Sequence, residues 1–247
     1  MGRVLGVIPA RLESTRLARK ALRLICGRPM VVRVYEGARG AACLDGLLVA
    51  TDAEEIMACC REHGVPAMLT STAHRSGTDR LAEVMAREPA DIFVNIQGDE
   101  PMITGEHIEL LLRPFQESPE TQVSTLKVAL DPKEAANPNK VKVVTGARGR
   151  ALYFSRAGIP FDRDSLGHAR YYKHLGIYAY TAAALKRFFA LEASPLEQLE
   201  KLEQLRFLEN GIPMTVVETT ADTIHVDTEE DLQRVDDYFL ELETTRF

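Results

Sequence analysis

The sequence predicts an α/β fold, a mainly parallel sheet with helices on both faces, and three observations support that prediction. Short β-rich apolar runs alternate with helical patterns through the first half of the 247 residues, the signature of strand–helix–strand units. Where helices are expected, the apolar residues recur at spacings of three and four, as at Met30, Val31, Val34, Tyr35 and Ala38. Hydrophobic residues make up 45% of the chain and charged residues 27%, enough apolar material for a sizeable core and too much for a disordered chain.

Taken in order, residues 3–8 read as a buried strand stopped at Pro9, and residues 28–42 as a helix. Residues 47–50 form a second strand, and 54–62 a helix capped by Thr51 or Asp52. A third strand at 66–69 precedes a helix at 77–87, and a fourth strand covers 91–96. In the second half, 123–130, 140–144, 151–154 and 175–181 read as strands, with 160–173 as a polar connection. A helix at 195–210 ends at Gly211, and a strand follows at 214–218. Thr228 caps a closing helix at 228–242, with Asp231 at the reciprocal capping position. The chain reads as one domain, 1–247, carrying a substrate and dimerisation lobe at about 120–215. In a parallel sheet ligands sit at the carboxyl ends of strands, so the loops after the first and fourth strands are where chemistry is expected.

Composition excludes several classes. A net charge of −6 opposes broad polyanion binding, which argues against nucleic acid. No run approaches the roughly 18 to 20 uncharged apolar residues of a membrane span. The opening Met-Gly-Arg lacks the apolar stretch of a signal peptide, so a cytoplasmic address is expected. The four cysteines form no C-x-x-C and read as buried reduced thiols, and the six histidines form no H-E-x-x-H or H-x₃-H pair, so any metal is expected on oxygen ligands.

The first loop, Pro9-Ala10-Arg11-Leu12-Glu13-Ser14-Thr15-Arg16-Leu17-Ala18-Arg19-Lys20, places four cations within ten residues directly after a buried strand. Arginine forks and a lysine point charge suit a polyphosphate there, although a charge run alone is also an ordinary solvated loop. No G-x-G-x-x-G follows the first strand and no G-x₄-G-K-[ST] occurs, which argues against a dinucleotide-dependent dehydrogenase and a P-loop NTPase. Asn95-Ile96-Gln97-Gly98-Asp99-Glu100-Pro101 closes the fourth strand, and Ile224-His225-Val226-Asp227-Thr228 precedes the last helix. Asp99 and Asp227 are each suited to Mg²⁺, and each is also an acceptable turn residue. Two acids at sheet-edge turns with a cationic loop form a coherent phosphoryl-transfer set.

These segments, with Ser76-Gly77-Thr78-Asp79-Arg80, Asn137-Pro138-Asn139-Lys140-Val141-Lys142-Val143-Val144, Ala151-Leu152-Tyr153-Phe154-Ser155-Arg156, His174-Leu175-Gly176-Ile177-Tyr178 and Leu202-Glu203-Gln204-Leu205-Arg206, resemble the 3-deoxy-manno-octulosonate cytidylyltransferases, or CMP-Kdo synthetases, in order along nearly the whole chain. The resemblance implies a Rossmann-like nucleotidyltransferase sheet in a cytoplasmic homodimer. It also implies transfer of a cytidylyl group from CTP to the anomeric 2-hydroxyl of Kdo, releasing pyrophosphate, for lipopolysaccharide assembly. Carried over residue by residue, it gives Arg11, Arg16 and Lys20 to the triphosphate and Asp99 and Asp227 to Mg²⁺. Pro9, Ala10, Ser14, Ser76, Gly77 and Gln97 fall on the nucleotide, and Arg156, His174, Tyr178, Glu203 and Gln204 on the sugar; Arg11, Lys20, Asp99 and Asp227 form the catalytic set. Tyr178 could instead be core, and Glu203 could pair with Arg206 on a helix surface.

Two departures from the family pattern stand out: Leu17-Ala18-Arg19-Lys20 replaces Leu-Pro-Gly-Lys, and Glu229 replaces the Pro after Asp-Thr. In-line attack by the sugar hydroxyl on the α-phosphorus needs no covalent enzyme intermediate, and no nucleophile motif is present. A sialic-acid cytidylyltransferase, a transferase acting on a phosphorylated sugar or polyol, and a catalytically silent nucleotide-binding regulator are the competing readings.

Overall fold

A computed structural model describes residues 2–14, 16–74, 77–164 and 167–245. The strands are β1 (Val4–Ala10), β2 (Leu24–Ile25), β3 (Arg28–Pro29), β4 (Gly46–Thr51), β5 (Ala67–Leu69), β6 (Ile92–Asn95), β7 (Val123–Leu130), β8 (Lys142–Thr145), β9 (Ala151–Ser155), β10 (Tyr171–Thr181) and β11 (Met214–Thr219). The helices are α1 (Met30–Ala38), α2 (Glu54–Glu62), α3 (Gly77–Arg87), α4 (Gly105–Glu117), α5 (Ala182–Phe189), α6 (Pro195–Glu200), α7 (Leu205–Glu209) and α8 (Glu229–Thr245). The chain divides into two compact units, residues 2–109 with 223 onward, and residues 110–222.

In the first unit β1 pairs in parallel with β6 on one side and β4 on the other, and β4 pairs in parallel with β5. All seven residues of β1 are buried, as a strand covered on both faces requires. The chain steps outward from β1 through β4 to β5, then returns past β1 to β6. Right-handed crossovers therefore put α1 and α2 on one face and α3 on the other, and the direction of winding reverses between β1 and β6. The second unit is a mixed sheet: β7 pairs in parallel with β11 and antiparallel with β10, and β8 pairs antiparallel with β9 and β10. A register shift interrupts β10 between Leu175 and Tyr178.

Several boundaries differ from those read in the sequence. The expected start of the first helix at Arg28 is displaced because Arg28–Pro29 is a strand, and a residue before proline disfavours helical geometry. Neither Thr51 nor Asp52 caps α2, whose N-cap is Ala53; the Asp52 carboxylate is instead held by Arg80 at 2.7 Å. The expected helix over 195–210 is two helices, because Lys201 turns into the left-handed region (φ 55°) and ends α6. The polar connection ends earlier than expected, at the start of β10. Helices α4 and α5 were not anticipated; α4 carries Pro114 inside it, a residue that normally argues against a helix.

Candidate active site

The loop after β1 is fixed from below. Leu17, 2% exposed, enters a core cluster with Ile25, Met30, Val226, Leu232 and Val235, so apolar burial pins the middle of an otherwise cationic loop. Arg23 adds a two-pronged ion pair to Glu229, at 2.5 and 2.7 Å, so the residue that departs from the family proline fastens the loop to α8. The other departure, Arg19, adopts φ 54°, a left-handed conformation in which glycine is unstrained, and its side chain pairs with Glu55.

At the carboxyl end of β6, Gly98 lies so near β1 that a Cβ there would stand 2.6 Å from the Pro9 carbonyl oxygen. A main-chain bond from Val226 N–H to the Asp99 carbonyl, 3.0 Å, ties the segment before α8 to the same edge. The Asp231 carboxylate accepts from Asp227 and Thr228 N–H, fixing the turn into α8. Two acids 128 positions apart in sequence are thereby brought together.

Pro9, Ala10, Arg11, Ser14, Arg16, Lys20, Gly77, Gln97, Asp99 and Asp227 line one cavity of about 270 Å³. Ser76 lies outside the described residues. Lys20 Nζ sits between the acids, 2.6 Å from Asp99 Oδ2 and 3.0 Å from Asp227 Oδ1, while Arg16 Nη1 is 2.8 Å from Asp227 Oδ2. Arg11 lines the cavity and pairs with no carboxylate among the described residues, leaving its guanidinium available to an anion.

Four polar groups here were not singled out from the sequence. His225 Nδ1 is 3.3 Å from Asp99 Oδ1 and 3.4 Å from Glu100 Oε1, and its Nε2 is 3.3 Å from Asp227 Oδ2. Burial opposes the imidazolium, but Asp99, Asp227 and Glu100 overcome it and push the His225 pKa up to about 11. Burial likewise raises Asp227, and His225 with Lys20 more than reverses this, holding its carboxyl well below the usual range. The signal available in sequence was the i, i+2 spacing of His225 and Asp227, which puts two side chains of an extended segment on one side. Arg80, 3% exposed, donates to Asp52 and Thr70 and lines the cavity, and His74 reaches it with Nε2 on Glu83 at 2.7 Å. Glu100 is the fourth, 5% exposed.

Asp99, His225 and Asp227 offer ligand atoms within 4.8 Å of one another. The buried Oδ1 of Asp99 meets His225 Nδ1 at 3.3 Å but accepts no hydrogen bond among the described residues, so it keeps acceptor capacity for a cation. The carboxylates of Asp99 and Asp227 fit a hard divalent ion.

The five residues expected on the sugar all belong to the second unit. Arg156, half-buried, donates from Nε to the Glu200 carbonyl at 2.8 Å and from Nη1 to the Pro138 carbonyl at 3.0 Å. His174 is buried, with Nε2 2.9 Å from the Thr125 hydroxyl and its ring edge-on to Phe154. Burial, with the neighbouring Lys173, pulls its pKa down to about 3, so it offers hydrogen bonding of the kind a hydroxyl takes and no positive charge. Tyr178 is half-buried in an aromatic run between His174 and Tyr180, and burial together with Glu203 raises its phenol. Gln204 is buried just before α7, and Arg206 makes a two-pronged pair with Glu197 at 2.5 and 2.7 Å.

Residues 5–221 match the family model described as cytidylyltransferase. The 3-deoxy-manno-octulosonate cytidylyltransferase of Acidobacterium capsulatum is 58% identical over 238 residues, covering 96% of this chain and 97% of that protein. The protein of the same name from Koribacter versatilis is 54% identical, covering 95% and 89%. A solved structure of CMP:2-keto-3-deoxy-manno-octonic acid synthetase complexed with CTP superposes with a TM-score of 0.93 at 43% identity, over 97% of this chain and 99% of its own. With loop cations and acids gathered at the β1–β6 edge and relatives of this similarity along almost its full length, the chain belongs to the cytidylyltransferase family, among the 3-deoxy-manno-octulosonate cytidylyltransferases.

Proposed function

We propose that this chain transfers the cytidylyl group of CTP to the anomeric 2-hydroxyl of 3-deoxy-D-manno-octulosonate (Kdo), giving CMP-Kdo and pyrophosphate. The observation that carries the reading is the single cavity in which the β1-loop cations meet Asp99 and Asp227. Arg11, Arg16 and Lys20 neutralise the triphosphate and the departing pyrophosphate, where charge builds as the α-phosphorus is attacked in line. Pro9, Ala10, Ser14, Ser76, Gly77 and Gln97 hold the nucleoside part. Asp99 and Asp227 would hold Mg²⁺, which when bound draws charge from the phosphoryl oxygens and the attacking hydroxyl.

Lys20 and Arg16 pair with these two acids. With a triphosphate bound, Arg16 and Lys20 would take its oxygens, and Asp99 and Asp227, still facing the His225 imidazolium, would be left to hold a cation.

Arg156 takes the sugar carboxylate, and His174, Tyr178, Glu203 and Gln204 take hydroxyls. The reading includes a cytoplasmic homodimer that serves lipopolysaccharide assembly. No helix among the described residues is long and apolar enough to cross a membrane. Purified protein is to be incubated with CTP and Mg²⁺ and a panel of Kdo, its amino variant and sialic acid, with products identified by mass. CMP-Kdo is the expected product. Equal pyrophosphate release from ATP or GTP, or preferential coupling to sialic acid, overturns the assignment.

A further inference from the structure

We infer that Lys142, a residue the reading above does not use, is a positioning residue that aims the Arg156 guanidinium at the acceptor's carboxylate. The inference rests on that reading's assignment of Arg156.

Lys142 opens β8, opposite Ser155 of β9 and Lys173 of β10, and is 0% exposed. No carboxylate among the described residues lies within ion-pair distance of its ammonium. Its Nζ donates instead to two main-chain carbonyls, Asn137 O at 2.7 Å and Arg156 O at 2.6 Å. A buried ammonium without a counter-charge is unfavourable, and an apolar side chain of similar volume is generally the more stable occupant of such a place. Burial and the nearby Arg156 both weaken its hold on the proton, with Glu200 opposing. The fold alone therefore does not ask for a lysine here.

What a lysine does, and an apolar residue cannot, is draw two carbonyls from separate segments onto one charged point. Both segments hold Arg156. One is the main chain of Arg156 itself. The other is the Asn137–Pro138 turn, whose Pro138 carbonyl receives Arg156 Nη1. Glu200 completes the frame: its carbonyl takes Arg156 Nε, and its carboxylate takes Arg156 N–H at 2.9 Å and the Ser155 hydroxyl at 2.6 Å. With Nε and one hydrogen of Nη1 committed, Nη2 has no protein partner among the described residues, and that edge is the one a carboxylate can grip. If the turn and residue 156 part, the Nη1 anchor is lost and the fork swings.

Steady-state kinetics on the full chain with CTP, Mg²⁺ and Kdo test this in Lys142→Met, Arg156→Ala and the double variant. Lys142→Met is expected to raise the Kdo KM about fivefold or more while the CTP KM stays within about twofold, a split that general loss of folded protein does not produce. In the Arg156→Ala background the same change is expected to add less than about twofold, since the lysine acts through the arginine. An unchanged Kdo KM, an equal rise in the CTP KM, or an undiminished effect without Arg156 overturns the inference. If Arg156→Ala itself leaves the Kdo KM unmoved, the assignment of Arg156 fails first, and the inference goes with it. Should Lys142→Met not fold, Lys142→Gln carries the same comparison. If neither folds, Lys142 is a fold element and the positioning role is wrong.

Discussion

Lys20→Met removes one ammonium from between Asp99 and Asp227 while keeping most of the stem that reaches them. Lys20 is 15% exposed at its side chain, and its two bonds are 2.6 and 3.0 Å. Hydrogen bonds to charged partners contribute roughly 1.5–3 kcal/mol each, and these two share one nitrogen, so they do not simply add. Arg16 and His225 remain against Asp227, and His225 against Asp99, which limits the repulsion left behind. The expected destabilisation is about 2–3 kcal/mol, or a melting midpoint lower by about 4–12 °C for a chain of this size.

The assay is thermal unfolding followed by circular dichroism, in EDTA and again in excess Mg²⁺. The gap between variant and parent is expected to narrow with Mg²⁺, because a divalent ion supplies the positive charge the variant lacks. Turnover of the same sample is expected to fall about 10²-fold or more, since the triphosphate loses a partner. A gap of the same size in both buffers would refute the claim that these acids share a metal.

Asp99→Asn and Asp227→Asn keep size and turn chemistry, and each is expected to lower kcat by about 10²-fold or more, the double variant being far less than multiplicatively worse. Near-normal pyrophosphate release by both at saturating Mg²⁺ would remove the acids from the reaction. Gly98→Ala drives a methyl to 2.6 Å from Pro9 O; a loss of about 1–3 kcal/mol in denaturant unfolding is expected, with a raised CTP KM, and unaltered unfolding would contradict the close approach. His174 is held neutral in the fold with its pKa pulled down to about 3, whereas the unfolded chain protonates it below about 6.5. Its contribution is therefore complete above pH 6.5 and is lost as the pH falls from there toward 3, by about 2 kcal/mol at pH 5. His174→Gln should lose correspondingly less stability between pH 7 and pH 5, and parallel acid curves for the two proteins would show that His174 is not the group.

The parts of the fold that were legible in sequence are those where one local signal suffices. Residues 77–87 and 123–130 fall on α3 and β7 residue for residue, the first from the helix-start signal at Thr78-Asp79 and the second from its β-rich run. Asp99 and Asp227 could be found because each stands at a turn next to a regular element. The meaning of His225 could not, since it depends on the Val226–Asp99 main-chain bond between distant segments. The break at Lys201 was hidden because no glycine or proline marks it, and α4 because Pro114 points the wrong way. Arg19 shows the same limit at the loop: an ordinary arginine in the sequence stands in a left-handed conformation that neighbouring contacts impose.

The bonds between the β1 loop and the last helix also set an order of events as the chain is made. Lys20 to Asp227, Arg23 to Glu229 and Cys26 to Asp236 span 207, 206 and 210 positions. A chain emerging from its N-terminus can pair β1 with β4 and β6 long before Val226, Leu232 and Val235 exist to receive Leu17. Closing loops of that length comes late and slowly, because chain entropy is lost before any contact compensates. Until then the cationic segment has no floor and Asp99 has no companion acid. A chain that has not yet reached Asp227 and Glu229 therefore carries the β1–β4–β6 sheet without the acid and the helix that complete its cavity.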